Sequence, residues 1–430
     1  MDFKTHIISQ YGEKFYEALI FAHNESSKSA LLLNTDKISD DDFLKLYDLN
    51  RHPYINHSFL FDKNEIPLGK TYLHDAGAYY IQDPSAMMVA NLLDVDENDI
   101  VLDMCSAPGG KAIQLSMKMH NNGVIVANDI SYQRSLVLSS NVERMGRKNI
   151  IVTNDDFSKH SEMYLNYFTK IVLDAPCSGS GMFRKEQKMM DDWSYEKVLR
   201  CVAIQKELIL AAYNMLKPGG ILSYSTCSYS KEENEDVINF LLNNTDAELI
   251  HLSLKDDTFN SQFLPGTLLF TASSFGEGQF IAQIRKPYQE IKKDIKTNSR
   301  YEKNDRNNEK LLTELHLSGH VMTINNIYYL YPFKFNLPNI KIIRPFLRLG
   351  EYRGKDFQPD NHLAHYLPSI NSIPLDEKEK NLYLAGESFA LRKEVTNGFH
   401  IVSYNNINLG YGKVINGVLK NHYPKGLRIR

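Results

Sequence analysis

The chain has 430 residues and a mass of 49.4 kDa, which is too long for one ordinary hydrophobic core, so two to four domains are expected. With 43% hydrophobic and 23% charged residues it has an ordinary soluble composition, and a formal net charge of −3 gives no overall attraction to nucleic acid. Four cysteines without a CxxC spacing suggest neither a disulfide scaffold nor a zinc site, and they suit a reducing cytoplasm in which thiols stay free.

The start of the chain, MDFKTHIISQYGEKF, lacks the basic region and apolar core of a signal peptide. No run approaches the roughly 18 apolar residues of a membrane span, so no membrane partner is expected. Residues 1–75 mix helical and irregular signals and predict an N-terminal α/β segment. In ISDDDFLKLYDL, Ser39 is placed to cap a helix with acids in its first turn. RHPYINHSF reads as a loop broken by Pro53.

From about residue 98 the texture changes. DIVLDM, GVIVANDI, NIIVTNDD and KIVLDAP are short apolar runs. Helical segments such as KAIQLSMKM and SYQRSLVLSSNVERM lie between them. That alternation predicts βαβ units and a mainly parallel sheet. Residues 195–217 predict a long helix with Val202, Ile209, Ala212 and Leu216 on its buried stripe, stopped by KPGG. ILSYST and GQFIAQIRK read as the last strands. Residues 287–310 carry few large apolar side chains and predict a solvated, charged linker. VMTINNIYYLYPF and FHIVSYNNINLGYG each place Asn-Asn between apolar alternations, a hairpin signal. The expected units are therefore 1–75, 76–286, the linker, a small subdomain 311–375, and a β-rich module 376–430. After Glu394 no acid follows, while Lys413, Lys420, Lys425, Arg428 and Arg430 do. This is a local basic surface that the net charge conceals.

Ligands of open parallel sheets sit beyond the carboxyl ends of the strands, and the suggestive polar residues fall there. The loop Cys105, Ser106, Ala107, Pro108, Gly109, Gly110 and Lys111 follows the first strand and opens a helix, whose N-terminus favours an anion. Asp129 ends the next strand, 19 residues after Gly110, where an acid accepts hydrogen bonds from ribose hydroxyls. Asp156 and Asp174 end the third and fourth. Neither GxxxxGK[ST] nor GxGxxG is present, so an NTPase and a dinucleotide enzyme are disfavoured. S-adenosyl-L-methionine has a ribose and a carboxylate but no pyrophosphate, and it fits the shorter loop.

Two cysteines, Cys177 in DAPCSGSG and Cys227 in YSTCSYS, stand in polar runs just after apolar ones. Cys201 lies within the long helix and reads as core, and Cys105 as a backbone contributor. Methylating carbon 5 of a pyrimidine needs a thiolate to add at carbon 6, which makes carbon 5 nucleophilic, and later needs a base and release of the thiolate. Cys177 and Cys227 both offer the thiol beside a cofactor pocket. Asp174 is a candidate partner for ring N3 as charge develops there.

DMCSAPGGK, NDI, DAPCSGSGMFRK and YSTCSYSKEENEDVI, in this order and spacing, closely resemble the NOL1/NOP2/Sun family of RNA cytosine-5 methyltransferases. YYIQDPSAM looks like that family's entry segment. LGYGKVINGVLKNHYPKGLR is similar to the end of the bacterial RsmF-type small-subunit rRNA enzymes, which carry a PUA-like module there. The resemblance covers nearly the whole chain, more loosely over 311–375, and SFGEGQF departs from the family's usual GFF. It implies a Rossmann-like core that uses S-adenosyl-L-methionine, a C-terminal PUA-like RNA-binding region, and RNA (16S rRNA or the small subunit) as partner. It further implies a cytoplasmic, metal-free monomer. Carried over by motif, Cys227 is the nucleophile and Cys177 assists release, with Asp174 beside them. The loop 105–111, Asp129, Asp156 and Asp174 hold the cofactor. Arg184 and Lys185 of FRK, together with Tyr411, Lys413, Lys420, Lys425 and Arg428, are candidate RNA contacts. The rival readings are a tRNA cytosine-5 methyltransferase, a catalytically silent RNA-binding assembly factor, and a nicotinamide-dependent dehydrogenase.

Overall fold

The computed structural model describes residues 1–272, 275–289, 306–332, 340–354 and 356–428. Most of the expected linker, with Arg430 and Ser274, lies outside these residues.

Four apolar runs become the parallel strands Ile100–Asp103, Val124–Asn128, Ile150–Thr153 and Phe168–Asp174, joined by Leu216–Thr226. Neighbouring residues in a strand point to opposite faces, and both faces are covered. Val101, Ile125 and Val172 therefore enter one core, while Leu102, Val126 and Ile171 enter the other. Strand Gln279–Arg285 adds antiparallel to Leu216–Thr226, and Glu248–Ile250 and Leu268–Phe270 pair with it. The long helix is Tyr195–Met215. Its buried residues include Val198, Ile209 and Ala212, while Val202 is only partly covered and Leu216 already belongs to the strand.

The N-terminal unit is larger than its sequence suggests. Strand Tyr79–Gln82 pairs with Ser29–Leu33 in a four-stranded sheet, so this unit passes the expected boundary at 75. Helix Pro84–Leu92, capped by Asp83, then starts the central domain. Ser39 caps Asp40–Leu44 as expected. Helices Phe3–Tyr11 and Glu13–His23 leave the N-terminal sheet and pack on the central domain, where Phe3 meets Phe183 and Trp193 edge-on.

Both Asn-Asn hairpins form, with left-handed backbone at Asn325 and Asn326 and at Asn405 and Asn406. The first joins His320–Ile324 to Ile327–Tyr331 in a four-stranded sheet with Leu347–Arg353 and Asp356–Pro359. Strand Ile342–Arg344, from the same stretch of chain, instead pairs with Ile150–Thr153 and covers the edge of the central sheet. The last module is a five-stranded sheet with helix Glu377–Ala385. Tyr383, Val402, Leu409 and Leu419 of this module share one apolar core with Leu31, Phe43 and Phe59 of the N-terminal unit. Among the described residues no helix is long and apolar enough to cross a membrane.

Candidate active site

The carboxyl ends of the central strands open into a cavity of about 680 Å³, a size suited to a nucleoside-like ligand. Asp129, Asp156, Asp174, Cys177 and Cys227 all line it. Of the loop 105–111, Cys105 and Ala107 line it too; the other members act around it. Ser106 Oγ donates to Asp103 Oδ2 at 2.8 Å. Burial lifts the Asp103 carboxyl to about 7. The Pro108 carbonyl accepts from Asn141 Nδ2 at 2.9 Å. Gly109, at φ +112°, turns the chain into helix Gly110–Lys118. A Cβ on Gly110 would lie 2.5 Å from Gln82 Oε1, so a larger residue there would have to displace that side-chain amide.

Asp129 is buried at its strand end. Its Oδ1 accepts from Ser131 N at 2.9 Å. Its Oδ2 is buried and 3.2 Å from Arg134 Nη1 as an ion pair, but no aligned hydrogen bond reaches it. Asp156 caps the short helix Phe157–His160 through Ser158, and its Oδ2 is 2.9 Å from Lys159 Nζ. Partial burial acts to raise its carboxyl, but the bonds from Lys159 and Ser158 prevail and hold it below the usual range.

Asp174 Oδ2 accepts from Lys111 Nζ at 2.6 Å, and Oδ1 accepts from Ser225 Oγ at 2.6 Å and Gln279 Nε2 at 3.2 Å. Burial works against the Lys111 charge, yet Asp174 outweighs it and raises the ammonium above its ordinary value. Beside this ion pair, Cys177 Sγ and Cys227 Sγ are 3.0 Å apart. The bond to Cys227, followed by burial, pushes the Cys177 thiol well up. The two loops that the sequence singled out thus meet at one point. Cys201 is half-buried and does not line the cavity; burial pushes its thiol up to about 11.

Arg184 requires a correction. Its side chain is 7% exposed, pairs with Glu277, and donates to the carbonyls of Ala272 and Gly276 at 3.0 Å. These inward bonds use the guanidinium as an internal staple and withdraw it from RNA. Lys185 is largely covered as well, with Nζ 2.6 Å from Asp83 Oδ2. On the last sheet, Lys413 and Lys420 are cross-strand partners; Lys420 and Lys425 are exposed. Arg428 is tied to the Tyr423 carbonyl at 3.3 Å, and the ring of Tyr411 is buried. Sequence reading missed Gln279, Asp103 and Glu233. Glu233 sits in a charge run that resembles a solvated helix start. Among the described residues no cluster of His, Cys, Asp and Glu is arranged to hold a metal.

Residues 1–84 match the family described as the N-terminal domain of 16S rRNA methyltransferase RsmF. Residues 90–285 match 16S rRNA methyltransferase RsmB/F, and residues 370–429 match the methyltransferase RsmF PUA domain. The chain is 32% identical to ribosomal RNA small subunit methyltransferase F of Shewanella piezotolerans, over 96% of this chain and 93% of that one. It is 30% identical to the protein of the same name from Vibrio vulnificus, over 93% and 91%. Among solved structures, a methyltransferase homolog protein from Pyrococcus horikoshii is 32% identical, with a TM-score of 0.58 over 66% of this chain and 93% of that one. NSun6 from the same organism, at 22% identity and a TM-score of 0.61 over 67% and 98%, shares the fold. With the paired thiols and the aspartates gathered at one cavity, and with relatives that match from end to end, the chain belongs to the ribosomal RNA small subunit methyltransferase F family.

Proposed function

We propose that this RNA methyltransferase moves a methyl group from S-adenosyl-L-methionine to carbon 5 of a cytidine in small-subunit rRNA, through a covalent adduct with Cys227. The observation that carries the reading is the 3.0 Å approach of Cys177 and Cys227 beside the Lys111–Asp174 pair, at a cavity that Asp129, with a buried oxygen lacking a hydrogen bond, also lines. The cavity fits the cofactor: Asp129 Oδ2 would accept from a ribose hydroxyl, and Cys105 and Ala107 line the wall beside it. When bound, the cofactor supplies an electrophilic methyl on a sulfonium.

The remaining steps belong to the chain's own residues. The Cys227 thiolate adds to carbon 6 of the ring, and the carbon 5–carbon 6 electrons make carbon 5 nucleophilic. Once carbon 5 is methylated, its proton passes to water, the double bond re-forms and Cys227 leaves as the thiolate, a release that the Cys177 thiol, 3.0 Å away, assists by donating to the departing sulfur. We infer for Asp174 a role other than that of partner to ring N3. Paired with Lys111 it is a carboxylate and can only accept, so it suits the exocyclic amine of cytosine. Lys111 Nζ, with donors to spare, suits ring N3. This donor–acceptor pair favours cytosine over uracil, whose edge has the opposite pattern.

The test is electrophoresis of protein–RNA mixtures under denaturing conditions. Cys177→Ala retains an adduct, Cys227→Ala forms none, and the double variant forms none. An adduct that requires Cys177 instead would reverse the assignment. Methylation of undermodified small-subunit rRNA alongside tRNA decides the substrate, and preference for tRNA would overturn the rRNA reading.

A further inference from the structure

Behind the two thiols lies a carboxylate that the chemistry above does not use. Glu233 is fully buried in the one-turn segment Lys231–Glu233, just past Cys227. Its Oε1 accepts from Ser178 N at 2.7 Å and Gln205 Nε2 at 3.1 Å. Its Oε2 accepts from the hydroxyls of Ser178 and Ser228. Ser178 follows Cys177 in the chain, and Ser228 follows Cys227. The same Gln205 amide also reaches the carbonyl of Pro176, the residue before Cys177, at 2.9 Å. One buried anion therefore grips the chain beside both cysteines.

Such an arrangement is costly. A buried carboxylate loses its hydration, and only a full set of donors offsets the loss. Burial raises the Glu233 carboxyl despite its serine partners. An apolar side chain would fill the space without that penalty, whereas a carboxylate can bond to two loops at once. Glu235 provides the contrast. It is equally buried, but its hydroxyl partner is Ser261, away from both thiols.

We infer that Glu233 is a positioning residue that sets the spacing of the Cys177 and Cys227 thiols. It touches neither substrate nor cofactor and acts through Ser178 and Ser228. Its consequence for turnover rests on the covalent reading above; the spacing itself does not.

Diamide closure of the two thiols reads the spacing directly. Each thiol gives up one hydrogen to the azo reagent, which is reduced to the hydrazine while the disulfide forms, and mass spectrometry follows the loss of the two hydrogens. In full-length Glu233→Gln, closure slows about a hundredfold, the scale of a misplacement of about 1 Å. Adduct formation in the Cys177→Ala background slows by a similar factor, and affinity for S-adenosyl-L-methionine is retained. Amide exchange of the central strands stays at the wild-type rate, which separates altered spacing from general loosening. Glu235→Gln leaves closure unchanged. If Glu233→Gln fails to fold, Ser178→Ala/Ser228→Ala removes the two hydroxyl bonds, and with them the hold of Glu233 on the Cys227 side, and slows closure as well. Closure at the wild-type rate in a folded variant overturns the inference. Slow closure with no adduct in Cys177→Ala leaves the spacing role standing and removes the covalent reading.

Discussion

Lys413 and Lys420 are direct partners across the antiparallel strands Ile407–Ile415 and Val418–Asn421. Like charges in that relation repel, so the sheet carries a strain that a phosphate between them would relieve. Lys420→Gln should raise the melting temperature slightly and weaken RNA binding. The slope of log affinity against log salt should flatten by about 0.7–0.9, the release of one counterion contact. Unchanged affinity and slope would remove this face from the RNA footprint.

The Asp129 oxygen that lacks a hydrogen bond predicts a specific loss. Asp129→Ala should weaken S-adenosyl-L-methionine binding by about 1–3 kcal/mol, the range for a hydrogen-bonded charged partner. Calorimetry on the folded variant is the measurement, and wild-type affinity would take Asp129 out of the ribose role.

Acid should loosen the junction between the central domain and the C-terminal region. His362 and His365 lie buried on helix Asn361–Tyr366. Burial depresses both imidazoles well below their ordinary value; Arg344 beside His362, and Lys37 and Arg144 beside His365, act in the same direction. His52 is likewise lowered by burial, to about 4. At these histidines the unfolded chain therefore binds more protons than the native one as pH falls. The stability these histidines contribute is complete above about pH 6.5 and declines below it, each adding at most about 1.4 kcal/mol per pH unit. Asp103, lifted to about 7, binds a proton in the native state and acts the other way, so the histidine contribution is read as a difference: the urea midpoint of His365→Gln relative to the wild type should rise between about pH 8 and pH 5. A flat difference would contradict this.

The shared core of the first and last units predicts coupling across the chain. Leu409 is 2% exposed in that core, so Leu409→Ala should cost about 2–5 kcal/mol. Amide exchange should then quicken not only around Leu409 but also in strand Ser29–Leu33. For the same reason deletion of 395–430 is no clean test of RNA binding, because it removes three strands on which the N-terminal sheet rests. Exchange confined to the last module would refute the coupling.

What could be read from the sequence was local or rhythmic. The alternation of apolar runs with helical segments places the central strands, and Asn-Asn between alternating residues places both hairpins. Cys177 and Cys227 stood out because each follows an apolar run in a polar setting. What escaped depends on distant partners. Nothing within IIR announces that Ile342–Arg344 joins the central sheet rather than its neighbours. Glu233 looks like any acid in KEENED until Ser178 and Gln205 arrive from elsewhere in the chain. Arg184 shows the converse: a basic residue beside a functional motif suggested RNA, and the fold spent it on Glu277.

The core joining Leu31, Phe43 and Phe59 to Val402, Leu409 and Leu419 has a consequence during synthesis. The N-terminal strands leave the ribosome hundreds of residues ahead of the side chains that cover them. Their apolar face must wait, exposed, until almost the entire chain has been translated. Burial of that face is a late, long-range event, of the kind that slows folding and invites aggregation. The central sheet, whose strands follow one another closely, can assemble earlier. The newly made chain would then pass through a stage in which the catalytic domain is formed while its two flanking units still await each other, a stage at which a chaperone has most to hold.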